Sequence, residues 1–203
     1  MTPDPPDAGR GEETRYRLLP DGELVRLCRG GEGAAFNELV VRHQDRIYNV
    51  VYRFCGNRED AGDITQRTFL NAFRKIAGFR GSSSFSTWLY RIAFNQAVSF
   101  RREQRRRERS LDAGGERPVA EAVDDRRPSE GLESEETRRK VQEILDALDE
   151  TDRQVILLKD LQGCSYAEIA AILGIPPGTV RSRLHRARMD LKARARSFIG
   201  TLR

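Results

Sequence analysis

The segment from Ser165 to Arg188, SYAEIAAILGIPPGTVRSRLHRAR, carries the side chains best suited to chemistry on a polyanion. At about 100° per residue, Val180, Leu184, Ala187 and Leu191 share one side of its second half. Ser182, His185, Arg186 and Met189 point the opposite way, and Arg181 and Arg183 flank that outward face. Arginine forks and hydroxyls donate to phosphate oxygens and to base edges, and arginine to guanine is the commonest specific contact. The chemistry these side chains suit is recognition of duplex DNA.

Those side chains need a helix held at a fixed angle. Ser165 is a good N-cap, and Glu168 three residues on completes a capping box. Ile169, Ala170, Ile172 and Leu173 form the apolar stripe of a first helix, and Gly174 suits the left-handed residue that ends it. Pro176 and Pro177 fit a turn or the first turn of the next helix. Helix, tight turn and basic second helix match a helix-turn-helix unit that lays one helix in the major groove. The alternative is a solvated basic helix without a partner; the agreement of turn and both helices with the docking geometry favours DNA.

The whole chain has 203 residues, a formal charge of +5, 33% charged and 7% aromatic residues, which fits two compact helical modules better than one large core. Arg101, Arg102, Arg105, Arg106, Arg107 and Arg109 form one basic block, and a second runs from Arg181 to Arg196. Glu116, Glu121, Asp124, Asp125, Glu130, Glu133, Glu135 and Glu136 lie between them. Two basic poles around an acidic middle suggest two contacts with one polyanion. Cys28, Cys55 and Cys164 form no CxxC, and their odd number argues for reduced thiols in a cytoplasmic protein. With His43 and His185 as the two histidines, no zinc-ligand set is expected. The opening MTPDPPDAGRGEETR has no apolar centre and does not read as a secretion signal, and no apolar run is long enough to cross a bilayer. Residues 1–20 are expected to form a disordered tail.

From Asp21 the pattern is helical. Asp21 can cap a helix carrying Leu24, Val25 and Leu27; Ala35, Phe36, Leu39 and Val40 begin a second apolar face that Ile47, Val50, Val51 and Phe54 continue. Gly56 and Asn57 break it, and a third helix from Asp60 has Phe69, Ala72, Phe73 and Ile76 as its expected buried stripe. The loop from Arg80 to Thr87 is small and hydroxyl-rich, and Trp88, Leu89, Ile92 and Ala93 start a helix that runs into the arginine block.

Three segments, DAGDITQRTFLNAF from Asp60, FRGSSSFSTWLYRIAFNQAVSFRR from Phe79 and the helix-turn-helix unit, resemble regions two and four of bacterial RNA polymerase sigma factors. The resemblance is greatest to the extracytoplasmic-function (ECF) branch, which keeps only those two regions, and it covers the chain from about Asp21 onward apart from the connector. It implies an all-α fold of two small helical domains joined by a flexible linker. Region two would span 21–109, an acidic linker 110–136 and region four 137–203. It implies a non-enzymatic subunit that binds core RNA polymerase, directs it to promoter DNA and assists melting.

Carried onto this sequence, the resemblance gives Asp60, Asp63 and Gln66 to the polymerase clamp helices. The family usually has acidic residues where Gly62 and Arg67 stand, and a charge reversal on an exposed face costs a few kcal/mol when the partner there is basic. Asp60 and Asp63 also suit the N-terminal end of a helix dipole. The resemblance assigns the loop of Arg80, Ser82, Ser83, Ser84, Phe85 and Ser86 to a base flipped from the minus-ten element, a chemistry that repays part of the unstacking cost. Asn95 matches a position that contacts the same element, and Arg91, Arg101 and Arg102 suit its phosphates. Trp88 fits either base stacking or core packing. In region four, Arg181, Ser182, His185 and Arg186 would face the minus-thirty-five element and Arg183 its backbone.

The linker suits two roles equally, an acidic strand in the polymerase cleft or a passive tether. An anti-sigma factor is the expected further partner; no cofactor, metal, small-molecule substrate or membrane insertion is expected. The rival reading is a conventional helix-turn-helix regulator, which would need a sensor or dimerisation domain where this chain offers polymerase-binding and melting segments.

Overall fold

The computed structural model describes residues 15–112 and 132–200, and all regular elements among them are helical. The acidic stretch 113–131 and residues 1–14 lie outside the described residues, as do the tail and linker expectations that fall on them. Helix α1 spans Asp21–Arg29, α2 Gly33–Cys55, α3 Arg58–Lys75 and α4 Phe85–Asp112. Helix α5 spans Leu132–Asp146, α6 Glu150–Ile156, α7 Tyr166–Leu173 and α8 Pro177–Gly200. A 3₁₀ turn, Ile76–Gly78, follows α3, and a π turn, Leu157–Leu161, extends α6.

The first module is built on α2. Its inward face, including Phe36, Leu39, Ile47, Val50 and Phe54, packs against Ile64, Phe69 and Ala72 of α3 and the Leu89, Ala93, Phe94 and Ala97 side of α4. Each large apolar side chain buried in this way contributes about 1.5–3 kcal/mol. Asn57 caps α3 rather than merely breaking the chain: its side-chain oxygen accepts the N–H groups of Glu59 (2.8 Å) and Asp60 (3.1 Å). Asp21 does not cap α1, whose N-cap is Pro20. Its carboxylate instead meets Nε2 of His43 at 2.6 Å and accepts Nη1 of Arg42 at 3.0 Å. These bonds, the hydrogen bond from His43 first among them, hold the Asp21 carboxyl below its ordinary value. Arg42 also donates to the carbonyls of Tyr16, Arg17 and Leu19. Tyr16 is buried, so packed chain begins before the expected tail boundary at residue 20.

The second module follows the sequence closely around its turn. Ser165 accepts the Glu168 N–H at 3.2 Å, the Glu168 carboxylate accepts the Ser165 N–H at 2.8 Å, and Gly174 ends α7 at φ 66°. Val180, Leu184 and Ala187 of α8 are buried. Val141 is exposed on α5.

The two modules lie against each other, and the cluster of buried apolar side chains is continuous from Tyr16 to Ala187. Polar groups also cross the seam. Arg153 of α6, only 2% exposed, donates to the Phe54 carbonyl at the end of α2 (2.8 Å) and to the Asp146 carboxylate (2.6 Å) and carbonyl (2.7 Å). Burial pulls its guanidinium below the usual arginine value. Gln142 donates to the Arg53 carbonyl, Tyr90 to the Gln162 side chain, Thr87 to Glu168, and Arg91 to the Ala171 carbonyl. Gly56 sits at this seam with φ 78°; a Cβ there would lie 3.1 Å from Asp146 Oδ2 and Gln142 Nε2.

Candidate nucleic-acid and protein interfaces

At the start of α8, Arg181, Ser182, His185 and Arg186 are all exposed, as the helical angle predicts, and Arg183 is half-buried. Arg181 and His185 make no side-chain hydrogen bond or ion pair with any other described residue, whereas Ser182 donates to the Thr179 carbonyl at 3.1 Å. Arg186 is engaged. Its Nε and Nη2 donate to the two carboxylate oxygens of Asp152 at 2.6 and 2.7 Å. Arg183 donates to the same carboxylate at 3.2 Å and lies 3.7 Å from Asp149. Arg188 forks onto Asp160 of the π turn. The inner edge of this basic helix is therefore tied to acids of α6 and the π turn, and its outer edge is open.

The serine loop divides in two. Arg80 and Ser82 are exposed, and Gly81 turns the chain at φ 71°. The Ser84 hydroxyl accepts the Thr87 N–H at 3.1 Å and lies within hydrogen-bond reach of the Ser86 and Thr87 hydroxyls, closing the start of α4. Phe85 departs from its expected place on the nucleic-acid surface. It is 4% exposed and packs edge-on against His43 at 5.3 Å and beside Phe79 and Trp88. An apolar ring following a capped turn folds into the core because the helix start points it inward. Trp88, half-buried, packs against the same aromatic cluster, 4.9 Å from Phe79. Between this loop and α1 lies a cleft of about 320 Å³, walled by Arg26, Arg29, Arg80, Ser83, Ser84 and Phe79. The motifs of the sequence do not single out Arg26 and Arg29, although the basic character at the end of α1 is visible there.

Along α4, Arg102 is exposed and Asn95 is exposed. Arg91 reaches across the seam, and Arg101 is turned inward, with Nη1 3.3 Å from the Phe54 carbonyl and its guanidinium 5.5 Å over the Phe54 ring. Arg101 is thus a seam residue rather than a free phosphate ligand.

On α3, Asp63 and Gln66 are exposed and Asp60 is half-buried, accepting Gln104 Nε2 at 3.1 Å. Arg67 pairs with Asp63 at 3.9 Å and lies 5.8 Å over the Phe100 ring. Phe73, expected in the core, is 50% exposed. It flanks an apolar groove of about 850 Å³ between α2 and α3, with Phe36, Val40, Phe69, Leu70 and Gln66 among its walls. The period-3.6 stripe of α3 continues past the core into this groove. The Thr65 hydroxyl, another wall, is buried without a hydrogen-bond partner among the described residues. No helix among the described residues is long and apolar enough to cross a membrane.

The comparisons with known proteins fall on these same modules. Residues 39–107 match the family model for sigma-70 region 2, and residues 138–191 that for sigma-70 region 4. The chain is 39% identical over 196 residues to the ECF RNA polymerase sigma-E factor of Escherichia coli K12, covering 89% of this chain and 97% of that one. It is 38% identical over 176 residues to the ECF RNA polymerase sigma factor SigE of Mycolicibacterium smegmatis, covering 85% of this chain and 67% of that one. Among solved structures, CnrH in complex with the cytosolic domain of CnrY has a TM-score of 0.65 and 26% identity, covering 86% of this chain and 96% of that one. The sigma factor RpoE of Bartonella quintana, solved with the anti-sigma factor NepR, also has a TM-score of 0.65, at 24% identity, covering 79% of this chain and 96% of that one; it supports the fold. With both regions matched in order, and relatives aligned along most of its length, the chain belongs to the ECF branch of the RNA polymerase sigma factors.

Proposed function

We propose that this sigma factor meets promoter DNA through two surfaces and core RNA polymerase through a third. Arg181, Ser182, His185 and the outer edge of Arg186 read the minus-thirty-five element, with base edges and phosphates as acceptors. The serine loop from Arg80 to Ser86 and the cleft it forms with α1 take the extruded base of the minus-ten element. Ser82 and Ser83 supply hydroxyls, Arg26 and Arg29 add positive charge, and buried Phe85 serves as the loop's anchor. Asn95 and Arg102 meet the adjoining strand.

The polymerase surface is the groove between α2 and α3. Phe73 and Leu70 offer apolar area there, Gln66 lies on its wall, and Asp60 and Asp63 stand on the flank. The Asp63–Arg67 pair reduces the local negative charge that a basic partner would meet. The chain contributes recognition and positioning and takes no bond-making step. An anti-sigma factor is a further proposed partner; the solved relative CnrH is held in complex with the cytosolic domain of CnrY.

The closed seam belongs to the chain free of promoter. The two elements, named for their positions, lie about 25 base pairs apart, roughly 85 Å of duplex at about 3.4 Å per pair. Helices α4 and α7, which carry and support the two reading surfaces, touch through Arg91 and Ala171. Simultaneous reading therefore requires the seam to part, which frees Arg91 for phosphate.

The observation that carries this reading is the pairing, in one chain, of an open basic helix face with a serine-lined cleft. Run-off transcription with purified chain, core polymerase and promoter fragments selected from a random pool tests it. Promoter-specific transcripts should need both proteins; no stimulation on any selected fragment would defeat the reading.

A further inference from the structure

The strongest unassigned feature lies behind the recognition helix. Asp152 sits in the first turn of α6, one helix away from any DNA-reading side chain, and is 4% exposed. Both its oxygens face α8. One receives Arg186 Nε, and the other receives Arg186 Nη2 and Arg183 Nη1. Arg186 itself is 63% exposed, so its inner edge is fixed while its outer edge meets solvent.

A guanidinium has five N–H groups. Asp152 takes the Nε proton and one Nη2 proton, the side-on edge of the fork. Two Nη1 protons and the second Nη2 proton remain; that Nη2 proton and one of the Nη1 protons form the end-on edge. One hydrogen from each Nη suffices for a bidentate contact with the O6 and N7 of a guanine. A free arginine side chain carries about 2 kcal/mol of rotamer entropy, much of which is lost on ordering. Here the ordering precedes DNA.

We propose that Asp152 is a positioning residue for upstream promoter readout, holding Arg186 so that only its end-on edge can reach a base pair. The inference rests on the promoter-reading assignment of α8. Arg186 is the base-touching group, and Asp152 acts through it. Arg183, bound to the same carboxylate, is held on the helix flank and contributes to the clasp rather than to readout.

The test uses holoenzyme reconstituted with the full-length chain, and duplex DNA selected from a random pool as the probe. Affinity is measured on the selected upstream element and on each of its single-base-pair substitutions. If wild-type holoenzyme transcribes no selected promoter, the sigma reading of this site fails; the remaining measurements bear on Asp152 alone. In Asp152→Asn, an amide N–H₂ replaces an acceptor and opposes the arginine donors. Discrimination should fall about tenfold at one or two adjacent base pairs, with the weakest sequences bound as before.

Arg186→Lys, which lacks the fork, should lose discrimination at the same positions, and the double variant should lose no more than either single one. Asp152→Glu, which restores both acceptors on a longer arm, should recover part of it. A lower melting temperature with every discrimination ratio unchanged would show Asp152 to be only a structural pin and overturn the proposal. Equal weakening on all sequences would mark Arg186 as a phosphate contact and overturn it too. Should Asp152→Asn fail to fold, Arg186→Lys decides alone, since residue 186 is exposed: unchanged ratios in that variant refute the proposal.

Discussion

The interior of the first module and the seam between the modules share one apolar cluster, yet the seam carries far more polar contact. Around Leu39, Ile47, Ile64 and Leu89 the packing is hydrocarbon on hydrocarbon. At the seam, side chains reach across to backbone carbonyls: Arg153 to Phe54, Gln142 to Arg53 and Arg91 to Ala171. Arg153 even leaves its Nε without a partner among the described residues. Parting an apolar interior exposes surface that water rejects. Parting a polar seam exchanges protein hydrogen bonds for water hydrogen bonds, at a net cost of only about 0.5–1.5 kcal/mol each. The first kind of contact defines a fold; the second suits a joint that must open.

The largest effect should come from the interior. Leu39→Ala removes a fully buried side chain between α2 and its neighbours and should destabilise the protein by about 2–5 kcal/mol, read from chemical denaturation. A loss below about 1 kcal/mol would mean that this interior is looser than its packing implies.

A smaller effect, of a different kind, is expected at the joint. Tyr90→Phe combined with Gln142→Ala removes two cross-seam hydrogen bonds without touching the Leu39 region. At about 1 kcal/mol per bond, the ratio of open to closed chain should rise roughly tenfold or more. Small-angle scattering should record a larger radius of gyration in the free chain, while the denaturation midpoint of the first module holds. An unchanged radius together with a lowered midpoint would place these bonds in the fold rather than in a joint.

The contrast also explains what the sequence discloses. Apolar periodicity and caps are local signals, so α2, α4, the Ser165–Glu168 box and the left-handed Gly174 are legible in the order of residues alone. So are the exposed Arg181 and His185, because helical angle alone sets their direction. The pattern misplaces Phe73 because a continuous stripe does not say where a core ends and a groove begins. The resemblance assigns Phe85 to the base-binding loop as a whole, and only packing shows that its ring turns inward. Asp152 gives no signal at all: an acid in the first turn of a helix reads as a dipole partner. Its distance of 34 residues from Arg186 hides a pairing that only packing creates. The seam is hidden for the same reason, since carbonyls at helix ends have no residue type. The expectation of two helical modules therefore carries no sign of the contact between them.

The smallest predicted effect joins cap and seam in one carboxylate. Glu168 accepts the Ser165 N–H in the capping box and also accepts the Thr87 hydroxyl across the seam at 3.3 Å. Hydrogen bonding from the Ser165 backbone, first, then from the Ser165 and Thr87 side chains, holds its carboxyl below the ordinary 4.5. The sign follows from linkage. A carboxyl depressed in the folded chain adds stability that is fully present above its unfolded value and is lost as pH falls through its folded value. As pH falls from about 5.5 to below 4.5, α7 should therefore lose part of its N-terminal support and the seam one of its bonds together. Other carboxylates titrate in the same range, so the measurement is a difference: thermal melts and scattering radii of wild type against Glu168→Gln. The variant should lie closer to wild type at the acidic end than at about pH 5.5, because protonation has by then removed from wild type what the amide lacks throughout. A gap between the two that is constant with pH would show that the Glu168 charge supports neither the helix start nor the joint.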